Sequence, residues 1–311
     1  MRTDVGPVEG RMLLRRLLQS SALCALTLLA LHGVAASAQS GAQHRPLIVF
    51  MSDFGELDDA VAICKGVMKT IAPDAEIIDL THQVTAYSIS DGSRLLVRTS
   101  QYYPAGTIFV TVIDPGVGTS RKSIVLKTRR GQYFVQPDNG LVTEVAARDG
   151  VEAIHEITNP HWELQGSSSS TFHGRDVYSP VAAHLARGDD WAQVGPILTQ
   201  YTRLEVAQAT VDAKGIRGLV VALDGPYGNL VTNIDRETFD RLEFQLGDLV
   251  RVAVGPNELS MPYRRTFGEV APGSLLLYID SRGLVSLAVN LGNFADKYRI
   301  TPPAPLRIFR K

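Results

Sequence analysis

Leu47-Ile48-Val49-Phe50-Met51, followed at once by Ser52-Asp53-Phe54-Gly55-Glu56-Leu57-Asp58-Asp59, decides how this chain reads. The five apolar residues run without alternation, the pattern of a strand covered on both faces, as in a parallel sheet. Beyond the acidic turn, Ala60, Val61, Cys64, Val67 and Met68 recur at helical spacing until Pro73 stops them. The same rhythm continues outward. Residues 75–80 and 107–113 read as strands, 91–101 as a helix, 123–127 and 132–135 as shorter strands, and 141–147 and 177–186 as helices. Strand and helix in alternation predict an α/β N-terminal domain with a mostly parallel sheet over 46–205. After Gln200 the rhythm changes. Residues 215–223, 230–234, 249–254, 275–278 and 285–289 read as short strands between turn residues with no long helix, which predicts a smaller β-barrel or sandwich over 206–311. The serine run at 167–170 reads as a loop.

Upstream, Arg11, Arg15 and Arg16 precede an apolar run from 17 to 31 that closes on Ala36-Ser37-Ala38. That order predicts a signal peptide over 1–38 and a flexible segment over 39–45, hence an exported, periplasmic protein with no stable membrane association after cleavage. The apolar run is short for a membrane span. Arg15-Arg16 leaves both the general and the twin-arginine export routes open. Past residue 38 one cysteine remains, Cys64, which cannot form an internal disulfide and reads as a buried small hydrophobe. The chain is 45% hydrophobic and 20% charged, with a formal net charge of −1 and no long block of one sign. Such a distribution excludes a basic nucleic-acid-binding arm.

Four clusters can carry chemistry. Asp53 follows the first strand, where ligands of open α/β sheets bind and where a carboxylate can accept from a ribose diol. Asp58 and Asp59 read equally as caps of the following helix. Asp114-Pro115-Gly116-Val117-Gly118-Thr119-Ser120-Arg121 ends another strand, with Asp114 placed as acid, base or water anchor and Arg121 as its partner; a purely structural turn fits the same residues. Phe172-His173-Gly174-Arg175-Asp176 precedes a helix and offers His173 as a general base near neutral pH. Asp224-Gly225-Pro226-Tyr227-Gly228-Asn229 ends the first strand of the second domain, and two more polar turns hold Ser281-Arg282 and Asn290.

Taken together, in this order and spacing, these motifs make the chain from 46 to 308 resemble the S-adenosyl-L-methionine (SAM) hydroxide adenosyltransferases, relatives of the fluorinases and chlorinases. The resemblance implies hydrolysis of SAM to adenosine and L-methionine by water attack at C5′, with Asp114, Arg121 and His173 around the water. It implies Asp53 on the ribose hydroxyls, Tyr87 as an aromatic wall, and Asp224 and Ser281 on the methionine amine and carboxylate. Asn229 and Phe267 would hold the adenine, and Arg282 would contribute its backbone at most. No metal or other cofactor is implied, since SAM is the substrate. It further implies a β-barrel second domain and a homotrimer with each site between subunits. The halogenases carry tyrosine in place of Asp114 and serine in place of Gly174, so water is the expected nucleophile.

Three other readings compete. A non-catalytic periplasmic receptor for adenosyl compounds fits export but not an intact Asp114, Arg121 and His173. A halogenase fits the scaffold but not Asp114 and Gly174. A calcium-dependent nucleoside hydrolase shares Asp58-Asp59-Ala60 but needs an aspartate where this chain has Met51.

Overall fold

Strand β1 (Leu47–Ser52) lies between two parallel neighbours, β2 (Glu76–Thr81) on one side and β3 (Ile108–Val112) on the other. The computed structural model describes residues 45–167 and 169–311; the leader expected over 1–38, the segment up to residue 44 and Ser168 of the serine run lie outside them. Helix α1 (Ala60–Ile71) carries the chain from β1 to β2, and α2 (Ile89–Ser100) returns it from β2 to β3. The connections therefore diverge at β1, and the crevice between the carboxyl ends of β1 and β3 is a topological switch point. Strand β5 (Tyr133–Pro137) pairs parallel to β3, β4 (Ser123–Thr128) pairs antiparallel to β5, and β6 (Val151–Glu156) pairs antiparallel to β4 and so runs with the other strands; they complete a six-stranded sheet in the order β2-β1-β3-β5-β4-β6, with β4 its one reversed strand.

The uninterrupted apolar run of β1 has a direct cause, because Ile48 to Met51 are each fully buried. Side chains alternate across a strand, so two cores form. Ile48 and Phe50 pack with Cys64 and Met68 of α1 and with Val181 and Ala182 of α4 (Ser179–Arg187). Val49 and Met51 pack on the opposite face with Leu96 of α2 and Val145 of α3 (Thr143–Asp149). Helix α2 starts where Ser88 Oγ accepts the backbone N–H of Asp91 at 3.3 Å. Alanine at Ser88 is expected to lower unfolding stability by about 1 kcal/mol, read from the urea midpoint at unchanged slope.

The remaining strands are β7 (Thr210–Asp212), β8 (Gly215–Asp224), β9 (Asn229–Asp235), β10 (Leu249–Val254), β11 (Asn257–Pro262), β12 (Leu275–Ile279), β13 (Leu284–Val289) and β14 (Ala304–Phe309). They form one antiparallel eight-stranded sheet, ordered β11-β10-β14-β8-β9-β13-β12 with β7 on β8. A bridge between Tyr263 and Leu277 draws its two ends together. The sheet is thus a nearly closed barrel rather than a sandwich, around Ile216, Val220, Leu230, Val252, Leu287 and Ile308. Short helices α5 (Arg236–Asp240) and α6 (Phe294–Tyr298) lie between its strands in sequence.

Candidate active site

Two acidic residues meet at the switch point because β1 and β3 run in register, Ser52 opposite Val112. Asp53 leaves β1 with its backbone N–H on Val112 O at 3.4 Å, and Asp114 lies two residues beyond Val112. Asp53 Oδ2 accepts the backbone N–H of Tyr87 at 2.8 Å. Tyr87 adopts φ +64, a left-handed conformation uncommon for an aromatic residue, and the residue is 74% exposed. Further along the turn, Asp58 Oδ1 accepts the N–H of Ala60 at 3.1 Å, while Asp59 makes no side-chain cap. Of the two capping readings, the side-chain bond belongs to Asp58.

The Gly-containing turn after Asp114 reverses the chain into β4, with Gly118 at φ +77, and brings Arg121 back beside Asp114. Arg121 Nη2 donates to Asp114 Oδ2 at 2.6 Å and meets His173 Nδ1 at 3.1 Å. Its other nitrogen, Nη1, donates to Tyr178 OH at 2.7 Å, Lys122 O at 2.8 Å and Ser123 Oγ at 3.1 Å. Tyr178 OH also points to Asp114 Oδ2 at 3.4 Å. Asp114 Oδ1 is buried and, among the described residues, has no hydrogen-bond partner. His173 precedes, and Tyr178 ends, a π-helical turn, Gly174–Tyr178, which runs into α4. Such turns occur frequently at functional sites.

The electrostatics follow from burial and from Arg121. Burial pushes the Asp114 carboxyl above its ordinary range, against the opposing pull of the Arg121 charge. Burial, then the Arg121 charge, holds the His173 imidazolium below its ordinary range. A guanidinium has no acceptor, so His173 Nδ1 must accept from Arg121 and the neutral ring carries its proton on Nε2. Asp53, Phe54, Tyr87, Asp114, His173 and Gly174 are among the residues lining a cavity of about 250 Å³. Gly174 fits there for a steric reason: a Cβ at this position would lie 2.9 Å from Phe54 Cζ and 3.3 Å from Phe172 Cε2.

The sequence-predicted residues of the barrel form a separate group. Asp224 ends β8, Ser281 is exposed in the turn between β12 and β13, and Asn229 is buried at the start of β9. The Phe267 ring packs 5.1 Å from that of Tyr278. None of Asp224, Asn229, Phe267 and Ser281 lines the cavity described above. One chain therefore brings together Asp53, Tyr87, Asp114, Arg121 and His173, and it holds the barrel residues elsewhere.

The Arg282 side chain donates to Asp224 Oδ1 at 2.7 Å and Oδ2 at 3.2 Å, and to Asp280 Oδ2 through Nε at 2.7 Å. Asp280 also accepts from the backbone of Arg282 at 2.8 Å and from Ser286 Oγ at 2.8 Å. A fork of donors between two carboxylates is worth more than a single point charge, and the paired acids keep Arg282 charged. Tyr178, Ser123 and Asp280 carry no signal of these contacts in the sequence: Tyr178 lies inside a helical segment and Ser123 at the start of a strand, and neither spacing points to a guanidinium nearby.

Fold and site together define an α/β enzyme with a ligand crevice at its switch point and an appended β-barrel. Residues 48–195 match the SAM hydroxide adenosyltransferase N-terminal domain, and residues 218–307 match the corresponding C-terminal domain. The chain belongs to the SAM hydroxide adenosyltransferase family. It is 40% identical over 266 residues to the (R)-S-adenosyl-L-methionine hydrolase of Salinispora arenicola, covering 85% of this chain and 97% of that protein. The fluorinase of Actinopolyspora mzabensis is 31% identical over 300 residues, covering 87% of this chain and 99% of its own. Among solved structures, an uncharacterized conserved protein from Thermotoga maritima superposes with a TM-score of 0.80 at 41% identity, over 85% of this chain and all of the other.

Proposed function

We propose that this protein hydrolyses S-adenosyl-L-methionine to adenosine and L-methionine, with water displacing the sulfonium at C5′. The observation that carries the reading is the convergence of Asp114 and His173, joined by Arg121, on one cavity with Asp53 and Tyr87. A sulfonium is already a good leaving group, so the protein needs to align water opposite the C5′–S bond and receive its proton. Asp114 Oδ1, buried and without a partner among the described residues, is the acceptor. Its raised proton affinity makes it a stronger base than an exposed aspartate. His173, with its proton on Nε2, donates to the water and does not compete for its proton. Arg121 fixes both and counters the charge that develops. Asp53 takes the ribose hydroxyls, and the Tyr87 ring forms a wall beside them.

The barrel residues enter from a neighbouring subunit of a homotrimer, with Asp224 and Ser281 on the methionine end and Asn229 and Phe267 on the adenine. Support comes from the absence of these four from the cavity that holds Asp53 and Asp114. A monomeric mass in solution at active concentrations would remove this part of the proposal. The chain is also exported, with residues 1–38 removed; support comes from the leader pattern and from a family match that begins only at residue 48. The intact mass of the mature protein tests it.

The test of the reaction is product analysis with SAM in ¹⁸O-water, without and with chloride. Adenosine labelled at its 5′ oxygen, with free methionine, is the expected result. Chlorodeoxyadenosine would make the protein a halogenase, free adenine would indicate glycosidic cleavage, and tight binding with no product would make it a receptor.

The acid side of the pH profile has a defined sign. Activity needs Asp114 ionised and His173 neutral, so each is lost as pH falls through its folded value. Asp114 lies above the ordinary aspartate and His173 below the ordinary histidine. The acid limb of kcat/KM is therefore expected at higher pH than an ordinary aspartate would place it, with a plateau above it. An optimum confined to acid pH would contradict both assignments.

A further inference from the structure

The Tyr178 hydroxyl occupies a place that the reaction scheme above leaves unused. The ring is fully buried at the end of the π-helical turn, behind the Asp114–Arg121 pair, and it does not line the cavity. Its oxygen receives Arg121 Nη1 at 2.7 Å. Arginine only donates, so the Tyr178 hydrogen must go to one of the two remaining neighbours, Asp114 Oδ2 at 3.4 Å or Ser123 Oγ at 3.2 Å. Burial beside the Asp114 carboxylate pushes the phenol further above its ordinary range, so it stays protonated wherever the protein is folded and active.

We propose that Tyr178 is a positioning residue for the hydrolysis: its hydroxyl pins the guanidinium of Arg121 and shares its hydrogen between Asp114 and Ser123, and so sets how readily Asp114 takes a proton. The proposal rests on the reading of Asp114 as the proton acceptor. Three contacts define the geometry. Arg121 Nη1 is held from behind by Tyr178, Ser123 Oγ and Lys122 O, which leaves Nη2 aimed at Asp114 and His173. Removing the hydroxyl takes away the shorter of the two side-chain anchors and, among the described residues, the only neutral donor on Asp114 Oδ2. The charged and titratable groups that face Asp114 are otherwise Arg121 and His173, with Asp53 in the same cavity and Asp176 acting on His173. Tyr178→Phe leaves every one of these charges in place and takes from Arg121 Nη1 one of its acceptors. A carboxylate that loses a donor gains proton affinity.

The experiment uses the mature protein with SAM across the acid limb. Tyr178→Phe is expected to lower kcat about tenfold, as for a lost hydrogen bond to a charged partner, at little changed KM, and to move the acid limb to higher pH. Ser123→Ala, which removes the competing acceptor and sends the hydrogen to Asp114 alone, is expected to move the limb to lower pH. Opposite displacements in the two variants support the proposal, and the Ser123→Ala arm carries it alone if Tyr178→Phe does not fold. A Tyr178→Phe enzyme with the parent rate and limb overturns it. So does a lower rate with an unmoved limb in both variants, which would make Tyr178 a packing residue only. Failure of the parent protein to release adenosine is a separate result and overturns the proposed reaction, whereas an active parent with unresponsive variants overturns only the role of Tyr178.

Discussion

Asparagine in place of Asp114 is expected to stop adenosine formation while SAM still binds. The substitution keeps the size of the side chain and leaves one amide oxygen for the 2.6 Å bond from Arg121 Nη2. It puts an NH₂ where the partnerless Oδ1 now lies. An amide nitrogen cannot take a proton from water, so the loss falls on kcat, by roughly 10²- to 10⁴-fold, the range of general-base contributions. Single-turnover rates and equilibrium binding of SAM separate the two effects. If the variant retained more than about a tenth of the rate, far outside that range, Asp114 would be a spectator and His173 would have to take the proton. That outcome would also require the opposite tautomer and a broken contact with Arg121.

Serine in place of Gly174 is expected to impair hydrolysis without conferring use of chloride. The relevant fact is steric: a Cβ there stands 2.9 Å from Phe54 Cζ and 3.2 Å from its Cε2. Phe54 packs edge-on against Phe172, with ring centroids 5.8 Å apart, so displacement disturbs two cavity walls together. Overpacking of this kind costs about 1–3 kcal/mol. Spent on the alignment of water, that corresponds to a rate loss of roughly 5- to 150-fold. The hydroxyl that the resemblance assigns to halogenases would thus arrive in a pocket whose wall is built for hydrogen. Chlorodeoxyadenosine from the single Gly174→Ser variant would show that Phe54 yields freely and that Asp114 does not exclude halide.

Much of this was legible in the residues. The run from Leu47 to Met51 announces a strand buried on both faces, and it lies at the centre of its sheet with neighbours on either side. The strand-end aspartates, Asp53 and Asp114, are found where parallel strands converge on a crevice, so their position followed from topology. What stayed hidden was long-range or weakly patterned. Strand β11 has a largely polar sequence with only Met261 buried, and β14 follows Pro302-Pro303 and includes Pro305, which argues against a strand until pairing with β8 and β10 is seen. The Asp224–Arg282 fork spans 58 positions and the Arg121–Tyr178 bond 57, separations over which no periodicity speaks. Gly174 reads in the sequence as a departure from the halogenases, but only the backbone geometry reveals that Phe54 requires it.

The π-helical turn from Gly174 to Tyr178 acts as a phase slip between two registers. In an ordinary α-helix, residues five apart point about 140° away from each other. Here His173 and Tyr178 bring their rings to 6.3 Å and share one guanidinium. Downstream, Val181, Ala182, Ala183 and Ala186 lock α4 against the core and fix its rotation. The extra residue lets the histidine be aimed independently of that rotation. Deleting one residue from the turn would leave the helix seated and swing His173 away from the guanidinium, so the reactive geometry can be lost, or newly acquired, by a length change of a single codon with no alteration of the core.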